Sequence, residues 1–262
     1  MYRGFKLKTI KFKEHDYYYN IGKKMYDKDK NLTTAILKDF IFSDNSLDGS
    51  KIQKTWFPQV NADVFISHFH TNEHIAIALA GYLNKEFKIQ SFIDSCIWGY
   101  ADDLLKDIDN KFCPTGPNTY SYKKRNYSTS HVHMMLSSAL SMMMDKTECL
   151  IFLDTPDSIK PYEGIDRTES PWIYFEIGMS QLLRKKEPKR NLLESVRYYS
   201  EGGILEKAIK VKYEVDLKHL TEIDADDLKK WLKIDNSTTA DEALDSLYKL
   251  KPPKRYSDSL ND

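Results

Sequence analysis

The chain of 262 residues lacks a surplus of charge of either sign, since 39 lysines and arginines balance 39 aspartates and glutamates. Proteins dedicated to binding nucleic acid normally carry a clear basic excess, so we predict no nucleic-acid partner. The chain also lacks any apolar run near the roughly 20 residues that span a bilayer, and its N-terminus has no hydrophobic signal-peptide core. We therefore expect a soluble protein with no membrane partner.

Cysteine is scarce. Cys96, Cys113 and Cys149 are the three cysteines, and they show neither a CxxC pair nor the spacing of metal ligands. A sparse, odd number of cysteines is typical of a reducing compartment, which indicates a cytoplasmic location and no metal site. Internal repeats and low-complexity tracts are missing as well. The length then fits one large domain, or one domain with extensions.

What the chain does contain is an alternation of strand and helix patterns. Short apolar runs at 62–67, 88–94 and 149–153 are typical of buried parallel strands, and helical spacing of apolar residues separates them. This order predicts an α/β fold with a flavodoxin-like, doubly wound, mostly parallel sheet. We assign residues 61–220 to this domain, 1–60 to an N-terminal extension, and 221–262 to C-terminal helices and a tail. A half-exposed edge strand is predicted at 209–215.

Polar and aromatic residues follow the predicted strands where each strand ends. Ser67, His68 and Phe69 follow the first strand, and Asp94 follows the second. Because ligands of such folds bind beyond the carboxyl ends of the strands, these residues are candidates for a binding site.

The most informative stretch is Ser170-Pro-Trp-Ile-Tyr-Phe-Glu176. Ser170 is a good helix N-cap, and Pro171 suits the first helical position. Trp172 and Glu176 are four residues apart, so they lie on one helix face. An aromatic ring beside a carboxylate suits a planar ligand and a developing positive charge. The alternative is a capped core helix, with Trp172 buried and Glu176 solvated.

Two motifs resemble those of TIR (Toll/interleukin-1 receptor) domains. Asp63-Val-Phe-Ile-Ser-His68 resembles the opening strand of that family, and Trp172 to Glu176 is similar to its Trp-x-x-x-Glu helix. The resemblance covers roughly residues 60–220. It implies an enzyme that cleaves NAD as substrate, without a cofactor, with Glu176 as the catalytic residue. The loop at 98–102 and an insertion at 110–130 depart from the family's usual pattern.

The resemblance also implies a biological setting. Bacterial TIR proteins of this kind often act in anti-phage defence, as in Thoeris systems, where they convert NAD into a cyclic ADP-ribose signal. The implied partners are further copies of the chain, which associate through their TIR domains, and a downstream effector that senses the cyclic nucleotide.

One carboxylate is enough for this chemistry. Nicotinamide leaves as a neutral base, so no general acid is needed, unlike in ordinary glycoside hydrolysis. The transition state needs a negative group beside the developing oxocarbenium ion, and Glu176 supplies it. The expected substrate-binding residues are Ser67, His68, Phe69 and Trp172, with Asp94 and Trp98 as the opposite wall. As a loop aromatic, Trp98 is expected to contribute little to the core.

Two other functions remain open from the sequence. The first is a TIR-like module that only binds partner proteins. The second is a metal-dependent hydrolase, because a strand followed by His68-Phe-His70 resembles the start of a metallo-β-lactamase metal site. In this chain Asn72 replaces the aspartate of that motif, and His74 falls one residue late. Later ligands would have to come from His131 and His133.

Overall fold

The computed structural model of the protein describes residues 1–8, 14–27, 37–98, 101–162, 164–188 and 212–253. In these residues the strands are β1 (Arg3–Lys8), β2 (Val64–Ser67), β3 (Ser91–Phe92), β4 (Pro114–Gly116), β5 (Thr119–Tyr120), β6 (Cys149–Asp154), β7 (Lys160–Tyr162), β8 (Ile165–Thr168), β9 (Tyr213–Glu214) and β10 (Thr221–Ile223). The α-helices are α1 (His15–Asp27), α2 (Gly49–Trp56), α3 (Glu73–Phe87), α4 (Asp94–Ile97), α5 (Ala101–Phe112), α6 (Tyr122–Lys146), α7 (Pro171–Leu182), α8 (Ala225–Ile234) and α9 (Ala240–Leu250).

The described residues form two compact units, each assembled from separate stretches of the chain. The first unit draws on residues 1–25, 61–93 and 144–262, and the second on 26–60 and 94–143. No helix in the described parts of the chain combines the length and the apolar character needed to cross a bilayer.

The first unit is built on a five-stranded sheet with the strand order β10-β1-β6-β2-β3. Each strand runs parallel to its neighbours. Every residue of β2 is buried, as are all residues of β6 except its last, because helices flank the sheet. The prediction of an α/β fold is confirmed, and the sheet is consistent with a flavodoxin-like fold.

The strand β1 lies inside this sheet, between β6 and β10. Its Phe5 and Leu7 are fully buried, and Lys6 forms an ion pair with Glu222 at 2.7 Å. The alternation of lysine with apolar residues hid this strand, since it is more typical of a solvated segment than of a central strand. The sheet therefore extends beyond the expected 61–220 domain on both sides, through β1 and β10.

Most local predictions for the first unit agree with the structure. The three predicted strands correspond to β2, β3 and β6, although β3 is only two residues long and β6 extends one residue beyond the prediction, to Asp154. Of the predicted strand at 209–215, residues 209–211 lie outside the described part of the chain. The remainder supplies β9, an edge strand of a small antiparallel sheet with the order β7-β8-β9. The hairpin of β7 and β8 has no counterpart among the sequence predictions.

The second unit contains the insertion at 110–130, which folds as the end of α5, the hairpin β4–β5 and the start of α6. The buried carboxylate of Asp109 fastens these elements together. It accepts a hydrogen bond from Arg125 Nε at 2.7 Å and another from the hydroxyl of Ser128. Paired in this way, the carboxylate avoids the cost of isolated burial.

Candidate functional site

The helix α7 begins where its sequence predicts. Ser170 Oγ accepts a hydrogen bond from Ile173 N at 3.2 Å, and Pro171 occupies the first helical turn, where its missing N–H leaves nothing unsatisfied. Ser170 N in turn donates to Thr168 Oγ1 at 3.1 Å, which ties the helix start to β8. Together these contacts fix the point at which the chain turns from β8 into α7.

Glu176 lies in the second turn of α7 and is buried, with 5% of its surface exposed. Ser67 Oγ donates a hydrogen bond to Glu176 Oε2 at 2.5 Å, and Ser67 is itself 2% exposed. Because Ser67 is the last residue of β2, this bond places a carboxylate at the carboxyl end of a central strand. Ligands of parallel α/β sheets bind at that edge. The alternative with Glu176 solvated and Trp172 buried is wrong, because Trp172 is only partly buried.

A second polar network lies on the same edge of the sheet, where β6 ends beside β2. Thr155 Oγ1 donates to Asn72 Oδ1 at 2.7 Å, and Asn72 Nδ2 donates to Asp157 Oδ2 at 3.4 Å. Thr71 Oγ1 donates to the same carboxylate oxygen at 3.2 Å. The sequence placed Thr155 at this rim, as part of the third strand end, whereas Thr71, Asn72 and Asp157 were missed although they follow the same two strands closely.

Asp154, the last residue of β6, is a titratable group at this edge whose pKa is shifted. Burial raises the pKa of its carboxyl, since the charged form is poorly solvated there. Lys6 opposes the increase, and Asp166 adds to it. The edge therefore holds a carboxyl group that takes up a proton more readily than an exposed aspartate.

His68 and Phe69, which follow Ser67, are partly buried. His68 Nε2 is buried, and none of the described residues forms a hydrogen bond with it. A buried polar atom without a partner is uncommon in folded proteins, so this nitrogen is available to a ligand. The ring of Phe69 lies against that of His70, with 4.4 Å between their centroids.

Asp94 and Trp98 belong to the second unit. Trp98 is 6% exposed, its Nε1 donates to Pro58 O at 2.9 Å, and its ring meets that of Phe57 edge-on at 5.5 Å. The expectation that this aromatic contributes little to the core is therefore wrong. Its neighbours lie far away in sequence, which local pattern does not reveal. Asp94 begins the short helix α4 and is partly buried.

A serine of α7 and a histidine between β9 and β10 form a pair that was also missed. His219 Nε2 lies 2.7 Å from Ser180 Oγ, and Gln181 Nε2 lies 3.3 Å from His219 Nδ1. Ser180 Oγ also donates to Ile177 O at 2.7 Å. The pair joins α7 to the segment that precedes β10.

The histidines of the possible metal site are spread over several elements. His70 lies in a short 3₁₀ helix, His74 in α3, and His131 and His133 in α6. Over the described stretches of the chain, no group of three or more histidine, cysteine, aspartate or glutamate side chains is arranged to hold a metal ion.

With this geometry established, the chain was compared with known proteins. No protein-family model matches it, and neither does any curated protein or solved structure.

Proposed function

We propose that the protein is a TIR-type enzyme that cleaves the nicotinamide–ribose bond of NAD. The observation that carries the proposal is the buried carboxylate of Glu176, held by Ser67 at the carboxyl end of β2. The same two residues belong to the two motifs that resemble TIR domains. Residues far apart in the sequence, each within a motif, thus meet at the edge of the sheet where ligands bind.

The geometry suits the chemistry in three respects. Burial places the carboxylate in a medium of low dielectric constant, where its attraction for a developing oxocarbenium ion is stronger than in water. The hydrogen bond from Ser67 fixes one carboxylate oxygen, so little reorganisation is needed as the charge develops. His68 Nε2, which has no partner in the described stretches of the chain, is available to bind a polar group of the substrate.

Bond cleavage releases neutral nicotinamide and leaves an electrophilic ribose carbon. Attack by water gives ADP-ribose, and attack by a nucleophile of the same molecule gives a cyclic isomer. In the setting that the TIR resemblance implies, the cyclic product is an anti-phage signal read by an effector protein.

A second function is favoured by one specific observation. Glu176 is only 5% exposed, as expected for a residue whose bond to Ser67 simply fastens α7 to β2. In that case the protein is a TIR-like module that binds partner proteins without catalysis. If the protein is an enzyme, removing the charge of Glu176 lowers the rate of NAD cleavage. If it only binds partners, the same change affects only the stability of the fold.

The test is the substitution Glu176→Gln, which keeps the shape of the side chain and its capacity to accept from Ser67. Removing electrostatic stabilisation of this kind lowers rates by about 100-fold or more. Nicotinamide release from NAD should therefore fall by at least that factor, whereas Glu187→Gln, at an exposed position, should release it at the wild-type rate.

Thermal melting of both variants shows whether they remain folded. Equal rates of release from wild type and a folded Glu176→Gln variant would refute the catalytic role. Lack of release by the wild type across a wide range of protein concentration would favour the binding module.

A further inference from the structure

The small sheet of β7, β8 and β9 has two chemically different faces. One face packs on α7, where the rings of Tyr213 and Tyr174 stack with centroids 4.6 Å apart. Thr168 pairs with Tyr213, so both residues lie on the face that packs on α7. Arg167 is the neighbour of Thr168 in β8. Because side chains alternate along a strand, Arg167 lies on the opposite face. We refer to this opposite face, formed by Lys160, Tyr162, Arg167, Lys212 and Glu214, as the basic face.

The cations of the basic face are close to one another. Lys160 and Arg167 are direct cross-strand partners, an arrangement that destabilises a sheet when the charges are alike. Lys212 Nζ lies 4.1 Å from the centre of the Tyr162 ring, and Arg167 Cζ lies 5.7 Å from the same centre. Since Lys212 precedes β9 and Tyr162 is in β7, the lysine side chain reaches across β8.

Within the described part of the chain, little compensates this concentration of charge. Glu214 pairs with Arg167 in the strand register, yet in the described residues neither it nor the three cations forms an ion pair within 4.0 Å. Arg167 Nε is buried and has no hydrogen-bond partner among the residues that the structure describes. A buried donor without a partner calls for an explanation, and an anion that binds there is one of the standard explanations.

We propose that the basic face binds the diphosphate group of a small molecule. The guanidinium of Arg167 presents a planar fork of donors that matches a phosphate, and Lys160 and Lys212 flank it as point charges. Adjacent strands are about 4.8 Å apart, so the three strands span roughly 10 Å, enough for two linked phosphates but more than one requires. The site lies on the face turned away from α7, and it does not depend on any chemistry at Glu176.

The test is calorimetric titration of the full chain with inorganic pyrophosphate at low and at physiological salt. Hydrogen bonds to charged groups typically contribute a factor of roughly 10 to 100 in affinity. Arg167→Gln should therefore weaken binding at least about 10-fold, and Lys212→Gln should weaken it as well. Lys249→Gln, the same charge change at an exposed position on α9, should leave the affinity unchanged. Glu214→Gln should tighten binding, because it removes the carboxylate from the basic face.

Three outcomes would overturn the proposal. The first is no binding of pyrophosphate by the wild type, or equal binding by a folded Arg167→Gln variant. The second is orthophosphate binding as tightly as pyrophosphate, which would show that the site does not require two linked phosphates. The third is a short single-stranded oligonucleotide that binds far more tightly and loses affinity in Arg167→Gln, since the ligand would then be a nucleic acid. Melting curves of all variants check that they are folded.

Discussion

At the scale of single residues, His219 links the stability of the first unit to pH. Burial lowers the pKa of its imidazole to about 4, from an ordinary value of 6.5. Asp216 opposes this decrease, and Lys185 adds to it. The neutral ring is therefore the form that the folded protein holds against Ser180.

The sign of the pH effect follows from this pKa. Above pH 6.5 the ring is neutral in both the folded and the unfolded chain, so its contribution to stability is complete. Between pH 6.5 and about 4 the unfolded chain binds the proton first, and stability falls as the pH falls. The expected loss is about 3 kcal/mol, and it ends below pH 4, where both states are protonated.

Urea denaturation at several pH values measures this loss. His219→Gln serves as the control, because it keeps a hydrogen-bonding side chain but does not titrate. Subtracting its pH profile removes the effect of the other groups. Identical slopes for wild type and variant between pH 6.5 and 4 would contradict the assignment.

At the scale of elements, α1 and α3 cross so closely that each helix requires a glycine. A Cβ on Gly81 would lie 2.0 Å from Tyr18 O, and a Cβ on Gly22 would lie 2.1 Å from Ile77 O. Both atoms belong to the backbone of the opposite helix and have little room to move. The two glycines therefore set the distance between the helix axes.

Substituting Gly81 by alanine should accordingly destabilise the protein. Overpacking in a core typically costs about 1–3 kcal/mol, more than the gain of up to about 1 kcal/mol from the helix propensity of alanine. Gly178 in α7 is the matched control, because no atom of the described residues outside the adjacent backbone of its own helix lies within 4 Å of the position of its Cβ. Gly178→Ala should stabilise the protein by about 0.5–1 kcal/mol. Chemical denaturation of both variants measures the difference, and an equal effect of the two substitutions would refute the close crossing.

At the scale of the whole molecule, we expect the proposed cleavage of NAD to require more than one chain. The carboxylate of Glu176 lies at the edge of the sheet, and the TIR resemblance implies that a neighbouring protomer completes the site. Association follows mass action, so the specific activity of nicotinamide release should rise with protein concentration. A dilution series, with light scattering to follow association, measures this dependence. If the specific activity stayed constant on dilution until only monomer remained, a site shared between chains would be excluded. The proposed role of Glu176 would not be affected by that result.

The sequence by itself determined the elements whose signals are local. Ser170 and Pro171 mark the start of α7, because capping depends only on residues within one helical turn. The buried strands β2 and β6 were predicted from short apolar runs, and their end residues indicated the edge where a site would lie. Glu176 could be named from its motif alone.

Only the tertiary structure decided which residues meet. The periodicity of a segment shows which of its faces is apolar, but it does not show which neighbour covers that face. The sequence analysis therefore did not predict that β1 lies inside the sheet, or that Trp98 packs against Phe57. The bond between Ser67 and Glu176 joins residues 109 positions apart, and the basic face of β7–β9 depends on strand register. Such contacts are non-local. They arise from the packing of whole elements, for which a single sequence carries no local signal.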